Sequence, residues 1–141
     1  MDERATNTPA TDPPGKELPA PTLGGAEEQH RLLMERVTDY AIFFLDPHGQ
    51  VATWNAGAER TFGYAEAEIV GQPFSYFFTS EDVQQGQPDK ELQTAANTGR
   101  ANDDRWMVRK GGARLWCNGV TTALRDEEGR LRGFAKAIQI R

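Results

Sequence analysis

The 141-residue sequence predicts an α+β fold, a five-stranded antiparallel sheet with short helices packed on one face. Three observations lead there. Two strand-like runs near the start are joined by the turn Asp46-Pro47-His48-Gly49. Three longer strand-like segments fill the last third of the chain. Between them lie only short helical stretches, punctuated by Gly63, Gly71, Gly86 and Gly99.

Taken in order, residues 1–26 hold Pro9, Pro13, Pro14, Pro19 and Pro21 among Thr, Ala and Gly, with almost nothing large and apolar. Such a segment cannot offset the entropy of ordering, so a disordered tail or linker is expected. Glu27 to Val37 reads as a short helix with Leu33, Met34 and Val37 on one side. Tyr40 to Leu45 is a nearly continuous apolar run and reads as a central strand, and Gln50 to Trp54 returns as the second.

Asn55 is placed to cap a helix that buries Ala58 and Phe62 and ends where Gly63 permits positive φ. Ala65 to Val70 gives a second helical turn, closed by Gly71. Helices this short must lean on a sheet to survive in water. Pro73 to Phe78 is aromatic-rich and reads as a buried helical turn. Ser80-Glu81-Asp82 opens a further helix with acidic residues suited to the dipole. Gly86 and Pro88 interrupt it, and a longer helix restarts near Asp89, with Leu92, Ala95 and Ala96 inward and Gly99 as its stop. Ala101 to Lys110, Ala113 to Leu124 and Leu131 to Ile140 are strands, joined by Gly111-Gly112 and by Asp126-Glu127-Glu128-Gly129.

Composition narrows the function. With 38% hydrophobic and 26% charged residues this is ordinary globular material with one core. Its apolar runs, such as Ala41 to Leu45, are far shorter than a bilayer requires. Asp2 and Glu3 open a stretch without a secretory apolar segment, so a cytoplasmic location is expected. A net charge of −5, with no basic stripe interleaved with aromatics, argues against nucleic acid as a partner. Cys117, the one cysteine, excludes an internal disulfide and a multi-cysteine metal site. His30 and His48 are the only histidines, and neither has a local partner at nucleophile or metal spacing. No phosphate loop, H-E-x-x-H or G-x-S-x-G is present, so neither catalysis nor a bound metal is expected.

The run Trp54 to Gly71 (W-N-A-G-A-E-R-T-F-G-Y-A-E-A-E-I-V-G) is preceded by A-I-F-F-L-D. It is followed by R-K-G-G-A-R-L-W and then A-L-R-D-E-E-G-R-L-R-G-F-A-K. In that order and spacing these segments resemble a PAS sensor domain over about residues 27–141. The resemblance implies a strand order 2-1-5-4-3, a cavity between sheet and helices, and a homodimer. It also implies that the helix at 27–37 flanks the core, with Leu33, Met34 and Val37 as candidate dimer contacts, while periodicity alone equally allows it to cover one end of its own sheet. Phe43, Trp54, Phe74, Phe77, Met107, Leu115, Cys117, Phe134 and Ile138 become candidate pocket lining.

The cofactor classes of such domains can be compared position by position. Light-sensing LOV domains carry a photoreactive cysteine where Phe74 to Gln87 stands here, and that stretch has none. Their flavin-binding amides fall on Met107, Cys117 and Ile138, none of which hydrogen-bonds a flavin edge as an amide does. Haem-binding relatives use a histidine in the long helix, and residues 79–99 contain no histidine. Haem and a covalent flavin adduct are therefore disfavoured, while a non-covalent flavin or a small metabolite stays open as the cofactor. Cys117 reads as a small buried hydrophobe rather than a redox sensor.

Two positions stand out. Alternation sets Trp106 and Val108 opposite Arg105, Met107 and Arg109. Solvating the arginines turns Trp106 inward, whereas the LOV comparison turns Met107 inward, and both readings stand at this stage. Lys136 lies within an otherwise apolar last strand, either solvated or paired, and Glu59 is its candidate ion-pair partner. The expectation is a non-catalytic sensory or dimerisation module that regulates a histidine kinase or similar output domain. The alternative is a redox or light sensor with a non-covalent flavin.

Overall fold

The computed structural model describes residues 28, 29, 32 and 39–141. Residues 28, 29 and 32 are helical. The rest of the helix expected at 27–37, its contacts Leu33, Met34 and Val37, and the tail at 1–26 lie outside the described residues.

Among the described residues four strands form one antiparallel sheet: β1 (Ala41–Leu45), β2 (Arg100–Val108), β3 (Arg114–Arg125) and β4 (Leu131–Ile140), in the order β1-β4-β3-β2. The expected fifth strand, Gln50 to Trp54, is a correction. It is reduced to two isolated bridges, Leu45 with Val51 and Gln50 with Pro73. Beyond Val51 the Ala52 and Asn55 amides still donate to the Phe44 and Ile42 carbonyls, but side chains replace backbone carbonyls as acceptors for β1. The β1 amide of Phe44 donates to Thr53 Oγ1 (3.0 Å), and that of Ile42 donates to Asn55 Oδ1 (3.0 Å). Ser, Thr and Asn side chains compete with backbone ladders in this way. With that strand removed, the expected order 2-1-5-4-3 and the observed one agree.

Asn55 both ties this segment to β1 and caps the first helix, accepting from the Ala58 amide at 2.8 Å. The helix, α1 (Ala56–Phe62), ends at Gly63 with φ 82°, whose N–H donates to the Glu59 carbonyl at 2.8 Å. A side chain at that φ would be strained. Next comes α2 (Glu66–Ile69), where the Ala65 amide donates to Glu68 Oε1 (2.8 Å). A 3-10 turn spans Phe74–Phe77, as the aromatic run predicts. Thr79 caps α3 (Ser80–Gln84), accepting from the Asp82 amide.

The long helix α4 (Gln87–Thr98) starts two residues before the expected point. Pro88 does not delay it, because proline in a first turn removes only an amide that has no helical partner. α1 packs on β1, and α4 packs on β2 and β3. The inner face of the sheet and these helices enclose the core.

Candidate functional site

The core between sheet and helices is an aromatic cluster. Phe77 lies at its centre, with ring centroids 4.9 Å from Phe62, 5.3 Å from Phe43 and 5.5 Å from Trp54, the last nearly parallel at 17°. The Trp54 indole N–H donates to the Tyr64 carbonyl at 2.8 Å, which satisfies its one polar atom within the fold. Of the nine expected lining residues, Phe43, Trp54, Phe74, Phe77, Met107, Cys117, Phe134 and Ile138 are buried and Leu115 is partly buried against them. Phe62 and Tyr64 belong to the same cluster, although only the spacing of apolar residues in α1 hinted at Phe62.

Met107 faces this core and Trp106 faces out, which settles the alternation of β2. Arg105 shares the inner side with Met107. Its guanidinium is held at the margin, 3.1 Å from Asp103 and 3.2 Å from Asp82, over the ring of Phe78. A paired, ring-stacked arginine can sit on an inward position without burying a bare charge. Outside, Trp106 meets Trp116 edge to face at 5.2 Å, directly across the β2–β3 ladder.

Cys117 is buried, and its thiol is pushed up to about 11, chiefly by burial and then by the nearby Asp103 charge. A thiol so shifted carries almost no thiolate at neutral pH.

Lys136 is the most unusual feature. Its side chain is wholly buried and its ammonium donates to Glu91 Oε2 on α4 and, at 3.3 Å, to Asp103 Oδ1 on β2. The expected partner Glu59 stands exposed on α1, so Glu91 and Asp103 replace it as a correction. Thr121 on β3 donates to the same Glu91 Oε2 at 2.6 Å, and Lys136 lies 5.3 Å from the Phe74 ring centroid. Gly119 makes the arrangement fit, since a Cβ there would come within 2.8 Å of Asp103 Oδ1.

Hydrogen bonds thus run without a break from Thr121 through Glu91, Lys136, Asp103 and Arg105 to Asp82. They join β3, α4, β4, β2 and α3. Burial pushes the Glu91 carboxyl above its ordinary range, with Lys136 pulling against that and Asp103 adding to it. Glu91 Oε1 is buried and makes no hydrogen bond. Among the described residues no group of three His, Cys, Asp or Glu side chains is placed to hold a metal ion. No helix among them is long and apolar enough to cross a membrane.

Residues 39–139 match the family model described as PAS domain. The chain belongs to the PAS domain family. Two-component system protein A of Emericella nidulans is 40% identical over 112 residues, covering 79% of this chain and 16% of that protein. The PAS domain thus spans a small fraction of the curated relative's length.

Among solved structures, a PAS domain of a protein from Colwellia psychrerythraea superposes with a TM-score of 0.73. It is 20% identical, and the match covers 82% of this chain and 98% of that one. A domain of a sensory box sensor histidine kinase/response regulator from Geobacter sulfurreducens gives 0.67 at 18% identity, over 80% and 92%. At these identities the structures speak for the fold alone.

Proposed function

We propose that this PAS domain is a non-catalytic, cytoplasmic sensory or dimerisation module of a signal-transduction protein. It regulates a histidine kinase or similar output domain through a ligand- or partner-dependent change and works as a homodimer. The observation that carries the reading is the 40% identity over 112 residues to a two-component system protein. The buried network from α3 and α4 into three strands supports it, because a shift of either helix must be felt across the sheet. A ligand or partner moves such an element only through different affinities for its two arrangements.

An absorption spectrum of the purified protein, followed by native mass spectrometry of the same sample, tests this reading. A colourless protein carrying a small additional mass supports ligand sensing, and a colourless dimer without added mass supports a dimerisation module. Flavin bands would replace both with the redox or light sensor, against the amide-free residues Met107, Cys117 and Ile138. A protein that transfers phosphate from ATP without an added kinase would overturn the non-catalytic assignment.

A further inference from the structure

The outer face of the sheet, opposite the core, carries two large aromatic side chains in water. Trp106 is 48% exposed and Trp116 37% exposed. Large apolar side chains left side by side on a surface mark an interaction site, as single ones do not. Their rings meet at 81°, so they form a corner rather than a stack. The corner is one wall of a hollow of about 310 Å³, whose other sides include Glu81 and Asp82 on α3, Asp104 and Arg105 on β2 and Arg114 on β3.

The charges in the hollow specify what fits. Both of its cations are already engaged. Arg114 donates to the two carboxylate oxygens of Glu81 at 3.0 and 3.1 Å, and Arg105 is held by Asp82 and Asp103. Asp104 differs. It is exposed, shares a face of β2 with Trp106, and its side chain has no ion-pair or hydrogen-bond partner among the described residues. An incoming anion would find no free cation there, whereas an incoming cation finds a free carboxylate beside two indole rings. Among aromatic side chains, tryptophan attracts a cation most strongly. A guanidinium suits the pair better than an ammonium, since its plane can lie on a ring while its fork of N–H groups meets a carboxylate.

Depth decides between a free ligand and a protein. Small-molecule sites enclose most of their ligand, and rings this exposed cannot. A side chain carried by a protein needs no such enclosure, because the residues around it supply the remaining contact. Trp and Arg recur as anchors of protein interfaces for this reason. We propose that the Trp106–Trp116 corner docks a partner protein through an exposed arginine, its guanidinium on the indole rings and its N–H groups on Asp104. The proposal goes beyond the sensory reading and does not rest on it, since the corner lies on the far side of the sheet from the core.

Affinity selection of random peptides on the whole chain, followed by NMR of the tryptophan indole N–H groups, tests the proposal. The expected result is a set of binders enriched in arginine, which shift the Trp106 and Trp116 signals and leave that of the buried Trp54 unmoved. Replacing the arginine of the strongest binder by citrulline, which keeps the shape and loses the charge, should weaken it about tenfold. Asp104→Asn and Trp106→Leu, at exposed positions, should each weaken it about threefold without loss of folding. Binders without arginine, or no binders, overturn the proposal, as does affinity indifferent to citrulline or to Asp104→Asn. Shifts of the same two signals with protein concentration alone would give the corner to a second copy and overturn a separate partner. None of these results touches the sensory reading, which the absorption spectrum and native mass test on their own.

Discussion

Lys136 on β4 and Glu91 on α4, 45 positions apart in sequence, form an ion pair that is almost wholly shielded from water. Two charges removed from water repay their desolvation only with good geometry and further hydrogen bonds, which Asp103 and Thr121 supply here. Taking away one partner strands the others. Lys136→Met should therefore cost about 3–5 kcal/mol in urea denaturation. Adding Glu91→Leu to it should recover part of that loss, since Asp103 keeps Arg105. A double-mutant cycle in which the two substitutions simply add would show that Lys136 and Glu91 are not coupled.

The same pair sets a pH dependence. Burial raises the Glu91 carboxyl, so the folded protein holds that proton more tightly than the unfolded chain does. The stability gained is complete below the ordinary glutamate value of about 4.3 and is lost as pH climbs through the raised one. Asp126, held low by backbone hydrogen bonding and its contact with Arg130, acts in the opposite sense. Its contribution is present above the ordinary aspartate range and lost as pH falls through the lowered value. The two effects occupy different windows. Glu91→Gln, neutral at every pH, should flatten the decline in urea midpoint above about pH 4.3 and leave the acid limb unchanged. An unaltered decline would assign it to another group.

Much of the fold was legible in the sequence because it is written in turn chemistry and alternation. Asn55, Gly63, Gly99 and the Asp46 turn stand where their chemistry placed them, with Asp46 Oδ1 accepting from the amides of His48 and Gln50. The second strand was misread because Val51 to Trp54 alternates like a strand, while the β1 amides of Phe44 and Ile42 find Thr53 and Asn55 side chains rather than its backbone carbonyls. The buried network was missed for a different reason. Glu91 lies one turn before Ala95 on α4, and Asp103 alternates with Ala101 and Met107 on β2, so the periods did point both inward. Charged residues are so seldom buried unless paired that polarity outweighed position. Nothing in the sequence distinguishes Glu59 from Glu91 as the partner of Lys136, and only packing does so.

Asn55 joins two elements at once, through the Ile42 amide on β1 and the Ala58 amide in α1. Its side-chain N–H also donates to the Tyr40 carbonyl at 3.2 Å. Asn55→Ala should cost about 2 kcal/mol, more than a surface cap, because buried amides lose their acceptor. Asn55→Asp keeps that acceptor and should recover about half of the loss. Hydrogen exchange of the Ile42 and Ala58 amides should accelerate in the alanine variant, and protection unchanged at both would remove Asn55 from this role.

Cys117 offers a direct test of the inert-core reading. With its thiol raised to about 11 and its sulfur buried beside the Leu115 carbonyl, it should not react with a disulfide reagent at neutral pH while the protein is folded. In denaturant it should react completely. Rapid modification of the native protein would return redox sensing to consideration.

Gly133 on β4 has φ 147°, and a Cβ there would lie 2.3 Å from the Leu45 carbonyl oxygen on β1. That oxygen belongs to a backbone held in the sheet, where Leu45 pairs with Phe134, so it has little room to yield. Gly129 also has positive φ, 84°, but a Cβ there would meet nothing within 4 Å. The two glycines separate conformational strain from collision. Gly129→Ala should cost about 1 kcal/mol, the strain alone, whereas Gly133→Ala should cost about 3 kcal/mol or more. In thermal melts the second variant should fall by about 15 °C and the first by about 5 °C. Equal losses would mean that β1 and β4 separate readily at this end, and the close approach of Gly133 to Leu45 would then contribute little to holding the sheet together.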